Sequence, residues 1–268
     1  MDSKIICYLS IFFLLSFNAS ALEFSNKFIQ GSFILGKTEP GAKVKIDNKN
    51  VLVTEDGYFA FGLGRDRKND VVIRILKDKK LDVIVKKVYK RKYKIQKIDG
   101  LPEKKVTPPK EVYDRIKKEN KLITDARSIE SNLTFFKNKF INPLKESIVT
   151  GVYGSQRILN GKPKWPHYGI DFAAKKGTKI RAMLDGTVTM VENDLFYTGG
   201  TLIFDHGHGI STLYMHMEKI FVKKGQIVKQ GEVIGTVGST GRSTGPHLDV
   251  RLNWFNVRLD PATVLNLN

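Results

Sequence analysis

At 268 residues, with 41% hydrophobic and 27% charged side chains, the chain is long enough for two modest domains and too apolar to be disordered throughout. Its formal charge of +18 is unevenly spread, since residues 148–268 hold 14 Lys+Arg against 9 Asp+Glu and most of the surplus lies before them. The one cysteine, Cys7, excludes a disulfide framework and leaves the fold to rest on its core or on a bound metal.

In chain order, Lys4 precedes the apolar run Ile5 to Phe17, and Ala19-Ser20-Ala21 follows. A basic flank, a short apolar core and an A-x-A site read as a secretory signal over residues 1–21, cleaved near Ala21. The run is short for a membrane span, and an uncleaved N-terminal anchor is the alternative. The expected location is the periplasm or the cell envelope. Nucleic acid is a poor partner there, whereas the basic stretch 22–147 suits an anionic envelope surface.

Residues 22–100 read as a small β-sandwich-like accessory domain. Strands are expected over Phe28 to Leu35, Ala42 to Ile46, Tyr58 to Leu63 and Val71 to Leu76. Glu39-Pro40-Gly41, Asp47-Asn48 with Lys49-Asn50, and Asp56-Gly57 mark the turns between them. Lys86 to Lys97, with Tyr89 and Tyr93 interleaved, is either an envelope-binding strip or a lysine-guarded strand edge. Pro108-Pro109 open a helix through Arg127, which makes 101–145 a helical linker. Whether that helix lies over a groove is open.

From 146 to 268 glycines become frequent and strands dominate. Lys175-Lys176-Gly177-Thr178-Lys179-Ile180 with Gly186-Thr187-Val188 is echoed by Lys223-Lys224-Gly225-Gln226-Ile227-Val228 with Gly235-Thr236-Val237. Two copies are too few for a solenoid and predict a compact antiparallel β domain built from similar halves.

All five histidines fall in this segment: His167, His206, His208, His216 and His247. In an extended chain His167 and Asp171 share a face across side-chain-free Gly169, with Tyr168, Ile170 and Phe172 turned to the core. The same alternation puts His247 and Asp249 on one face, opposite Leu248, Val250 and Leu252. It also sets His216 opposite Leu213, Met215 and Met217.

The order of His167-Tyr168-Gly169-Ile170-Asp171, Asp205-His206-Gly207, Tyr214-Met215-His216, Gly231 to Gly235, Gly238 to His247 and Asp260-Pro261 resembles the lysostaphin/LytM-type zinc metallopeptidases. The resemblance covers residues 146–268. It implies an antiparallel β-sheet groove holding one zinc ion per chain and acting on the peptide cross-links of peptidoglycan. It implies His167 and Asp171 as zinc ligands and His216 and His247 as catalytic histidines, while His206 and His208 stay outside the site. The family's H-x-H would place a third ligand, a histidine, where this chain has Asp249. Aspartate is a competent zinc ligand, with a shorter reach and a harder donor atom.

The expectation is therefore a mainly β protein acting as a peptidoglycan-directed zinc metalloendopeptidase, with metal ligands His167, Asp171 and Asp249. The alternative is a catalytically degenerate LytM-type module that binds the wall or activates amidases. The Lys-Lys-Gly turns also resemble the hairpins of lipoyl-type carrier modules, which have no use for the histidine set. Oligomeric state is open.

Overall fold

The computed structural model describes residues 22–145, 147–265 and 267, so the expected secretory signal lies outside the described residues. The chain is mainly β, and its strands pair almost entirely antiparallel. Phe33–Lys37 and Tyr58–Gly62 pair with Phe33 opposite Gly62, and Glu23–Phe24 completes a three-stranded sheet. Alternation turns Ile34, Phe59 and Phe61 into the core, where none of them is exposed. The first of these strands begins later than the expected Phe28, because Gln30 and Gly31 (φ 93°) make a turn first.

Lys49–Val51, Lys43–Ile46, Val71–Lys77 and Lys80–Lys86 form a four-stranded sheet in that order. Two of these strands depart from the sequence reading. The turn at Asp47-Asn48 is only two residues long, so Lys49 and Asn50 already pair. Lys80–Lys86 pairs along its whole length with Val71–Lys77 through Asp78 and Lys79, at φ 47° and 68°. Positive φ at both central positions suits the right-handed twist of a two-residue hairpin, here without the usual glycine.

The basic run after Lys86 is not a single strand edge. Tyr89 bridges to Ile29, and Ile95–Ile98 pairs parallel with Gln156–Leu159. The two halves of the chain thus share a small sheet. One apolar core also runs through both, from Phe33 and Phe61 to Leu259 and Leu265.

Among the described residues the large sheet has ten strands. Along its path lie Ile227–Val228, Gly186–Leu195, Gly199–Gly207, Ile210–Ile220, His247–Trp254, Ile170–Ala173 and Ile148–Gly151. The internal echo explains part of its order, because the two copies pair crosswise. Lys179–Arg181 of the first copy pairs with Val233–Val237, which follows the second, and Ile227–Val228 pairs with Gly186–Leu195, which follows the first. Gly177 and Gly225 take φ 87° and 86° in the two turns, and their N–H groups donate to Val237 and Val188, each at 2.8 Å.

The helix Tyr113–Arg127 lies against this sheet, with Ile123 and Ala126 packed on Met190, Leu195, Ile203 and Leu213. The Phe196 N–H donates to Glu119 Oε2 at 2.8 Å, and Arg115 reaches the Asp194 carboxylate at 3.1 Å, pinning the outer end of the helix. Among the described residues no helix is long and apolar enough to cross a membrane.

Candidate metal centre

Ile170–Ala173 and His247–Trp254 run side by side with Asp171 directly opposite Asp249. Two facing carboxylates repel across an antiparallel pair unless a cation stands between them. His167 joins them from the loop ahead of the first strand, rather than from an extended strand as expected. Its Nε2 lies 3.2 Å from Asp171 Oδ1 and its Nδ1 lies 3.9 Å from Asp249 Oδ2. The expectation for the intervening residues needs one correction. Ile170 and Phe172 are buried in the core, but Tyr168 is half-buried, with its ring 4.8 Å from the Arg258 guanidinium on the groove side.

All three groups are buried. Among the described residues neither ring nitrogen of His167 has a hydrogen-bond partner, and neither does Asp171 Oδ1. Each such orphan costs about 1–3 kcal/mol, and a single cation among the three residues would satisfy Asp171 Oδ1 together with one nitrogen of His167. A histidine and two carboxylates form a donor set that fits a divalent metal. Two glycines clear the space for the carboxylates: a Cβ on Gly169 would strike Asp249 Oδ1 and the Val250 carbonyl, and one on Gly151 would strike Asp171 Oδ2.

Two arginines that the sequence reading did not single out hold the carboxylates in place. Arg157 Nη2 donates to Asp171 Oδ2 at 2.7 Å, while Arg251 meets both oxygens of Asp249 at 3.0 and 3.3 Å. Burial alone would raise the Asp171 carboxyl, but His167 and Arg157 outweigh it and hold the group well below the usual carboxylate range. Asp249 shows the same balance, with burial opposed by Arg251 and His167 and the result again below the usual range. Both groups are ionised at neutral pH. Arg251 was detectable from spacing, since it stands two residues beyond Asp249 on the same strand face. Arg157 carried no local signal, because its place depends on the pairing of Gln156–Leu159 with a distant strand.

His216 and His247 stand beside this set with ring centroids 4.7 Å apart. His216 is buried, and its Nδ1–H donates to the Thr240 carbonyl at 2.8 Å, leaving Nε2 as the acceptor. Burial, reinforced by His247, pushes the ring down to about 4, so it is neutral at pH 7. His247 Nδ1 meets the Gly245 carbonyl at 2.8 Å, and its Nε2 points towards Asp171 Oδ1, 3.9 Å away. The loop Gly238 to Gly245 therefore orients both rings. Thr240 also ties that loop to Gly199-Gly200, accepting from the Gly200 N–H at 2.9 Å.

Alternation fails at His216. Leu213 and Met215 pair with Arg251 and Asp249, so they face the site, and both line the same cavity as His216. His216 takes φ 62° at an irregularity of the ladder, which swings its ring back to the side that Met215 occupies. His206 and His208 lie apart. His206 is fully buried between the Asp185 carbonyl and the Thr212 hydroxyl, and His208 packs on Phe136.

A cavity of about 630 Å³ opens onto the site. One wall is the sheet, with Leu213, Met215 and Asp249, and the other is the helix Tyr113–Arg127, through Ile116, Ile123 and Arg127. The linker helix therefore lies over the groove.

Residues 165–261 match the family model for peptidase family M23. The peptidoglycan DD-endopeptidase ShyA of Vibrio cholerae is 47% identical over 103 residues, which are 38% of this chain and 23% of that protein. The DD-carboxypeptidase/endopeptidase Mpg of Neisseria meningitidis is 47% identical over 98 residues, 37% of this chain and 22% of that protein. The matches thus span less than a quarter of the length of these relatives. Among solved structures, an M23-type protein of Pseudomonas aeruginosa superposes with a TM-score of 0.70 at 26% identity, covering 89% of this chain and 95% of that one.

Proposed function

Because residues 165–261 form a domain of peptidase family M23, we propose that the chain is an exported zinc metalloendopeptidase that hydrolyses peptide cross-links or stem peptides of peptidoglycan. The observation that carries this reading is the meeting of the orphaned His167 and Asp171 atoms with Asp249 and the paired rings of His216 and His247. His167, Asp171 and Asp249 would hold the zinc, which supplies Lewis acidity to polarise a scissile amide and makes a water easier to deprotonate.

The chain's own residues supply positioning and proton transfer. Each catalytic imidazole gives its Nδ1–H to a backbone carbonyl and offers Nε2 to the groove. His216, neutral at pH 7 and with a pKa far from that pH, is suited to orienting the attacking water as a hydrogen-bond acceptor. His247, whose Nε2 lies nearest the ligand set, takes the proton of that water and returns it to the leaving amine. The glycines at 199–200 and 238–245 let an extended peptide come close to the backbone.

One observation favours a second reading. Arg157 and Arg251 already balance both carboxylates, so the cluster has a metal-independent charge balance of its own. That would suit a catalytically degenerate module that binds the wall or activates amidases.

The deciding experiment uses the chain from residue 22, zinc content measured, incubated with cross-linked muropeptides. Near-stoichiometric zinc and release of monomers, both lost in His167→Ala and the release alone lost in His247→Ala, are expected. Absence of zinc together with absence of released fragments would leave the enzyme reading without support.

A further inference from the structure

The cavity over the metal site carries a charge that the chain does not answer. Its walls include Arg127, Arg157, Lys164, Arg242, Arg251 and Arg258, against Asp249 as the one acidic lining residue among those described. Two of these cations are committed, Arg157 to Asp171 and Arg251 to Asp249. Arg127 and Arg258 are not. The charges that act on Arg127 are those of Arg258 and Arg251, both repulsive, and Arg258 has only tyrosines to offset Arg251.

Arg127 is the extreme case. It is 5% exposed, and among the described residues its Nε has no hydrogen-bond partner and its Nη2 meets only the neutral amide of Asn256 at 3.1 Å. The Nε of Arg258 is likewise buried without a partner, its guanidinium set over the Tyr168 ring. Burying a guanidinium without a counter-charge is costly, and burial with the two neighbouring arginines pushes Arg127 down to about 10. Two arginines that line one cavity without a counter-charge form a fork for an anion, and a planar carboxylate matches a guanidinium in a bidentate way.

We infer that Arg127 and Arg258 form a carboxylate subsite of the groove, which takes a free carboxylate of an acidic peptide beside His167, Asp171 and Asp249. The inference rests on the peptidase reading for its orientation and deepens it by naming the substrate class: a peptide with a free carboxylate close to the scissile bond, rather than a neutral bridge. The subsite is composite. Arg127 ends the helix Tyr113–Arg127, and Arg258 lies in Val257–Leu259 of the sheet, so the fork exists only while the helix covers the groove.

The probe is the peptide diacetyl-Lys-D-Ala-D-Ala as free acid and as C-terminal amide, titrated calorimetrically into the chain from residue 22. The acid is expected to bind about ten-fold tighter than the amide, one strong charge-assisted contact in magnitude. Arg127→Gln and Arg258→Gln should each close most of that gap, with the acid losing more affinity than the amide. Because the two residues belong to different elements, Arg258→Gln serves if Arg127→Gln does not fold. Equal binding of acid and amide by the unaltered chain, or a gap that survives both substitutions, overturns the subsite. Muropeptide cleavage measured in parallel separates the two readings. Cleavage without the acid–amide gap removes the subsite and keeps the enzyme, whereas the gap without cleavage keeps the subsite and removes the enzyme.

Discussion

Arg251 and Asp249 lie two residues apart on one strand, and the guanidinium meets both carboxylate oxygens, Nη2 to Oδ2 at 3.0 Å and Nε to Oδ1 at 3.3 Å. The aspartate that faces Asp171 and His167 therefore comes with a partner that a histidine there could not use. Asp249→His alone would leave Arg251 uncompensated beside Arg127 and Arg258. It should cost about 2 kcal/mol, less than a fully buried pair because Arg251 fronts the cavity. Zinc affinity should not improve in that single variant. Asp249→His combined with Arg251→Ala should bind zinc more tightly than either single change. Urea denaturation and zinc competition titrations read both effects, and tight zinc binding by Asp249→His alone would contradict the coupling.

His167 offers a cleaner separation of metal binding from folding. Both of its ring nitrogens are buried without partners, so without metal they contribute desolvation cost and no hydrogen bond. His167→Leu removes that cost together with the favourable charge His167 sets beside Asp171, so the chelator-treated protein should change by no more than about 1 kcal/mol. Zinc at a thousand-fold excess over its dissociation constant should stabilise the parent by about 4 kcal/mol and the variant not at all. Thermal melts with zinc and with chelator test this. A zinc-dependent shift that survives in His167→Leu would place the metal elsewhere.

Gly169 is required by its neighbour rather than by its own backbone. A methyl group there meets Asp249 Oδ1 and the Val250 carbonyl, which belongs to a paired strand and cannot retreat. Gly169→Ala should cost about 2 kcal/mol by overpacking and weaken zinc binding about ten-fold by displacing the carboxylate. Gly64→Ala, where a Cβ would make only an ordinary 3.5 Å contact with Val257 and the backbone has no positive φ, is the control. Equal zinc affinity in Gly169→Ala and the parent would show that Asp249 does not have to sit where Gly169 allows it.

Much of this arrangement was legible in the sequence, and the exceptions share a cause. Along His247–Trp254 the alternation holds, with Leu248, Val250 and Leu252 fully buried behind the site. It breaks at His216, where a non-glycine residue adopts positive φ, and at Asp78-Lys79, where a hairpin turns without glycine. Residue type carries almost no warning of either. Arg157 escaped because a parallel pairing with Ile95–Ile98, some sixty residues away, sets its position. The groove-facing side of the linker helix could have been read: Ile116, Asn120, Ile123 and Arg127 recur at helical spacing. What no spacing reveals is that this face looks onto a charged cavity instead of the core.

The fold itself should weaken in mild acid, and His206 supplies a defined part of that. It is fully buried, with Nδ1–H donating to the Asp185 carbonyl at 2.6 Å and Nε2 accepting from the Thr212 hydroxyl at 2.8 Å. Burial pushes its pKa from 6.5 down to about 4. Between those values the unfolded chain takes up a proton that the folded chain refuses, so stability is complete above about pH 6.5 and falls as the pH drops towards 4. The full loss is on the order of 3 kcal/mol. His216 shifts in the same direction and adds to the slope, so the contribution of His206 is read by difference. Urea midpoints at pH 7, 5.5 and 4.5 should converge between the parent and His206→Gln as the pH falls, because the variant has no proton to gain at that position. Parallel curves for the two proteins would show that the buried ring does not set the acid sensitivity of the fold.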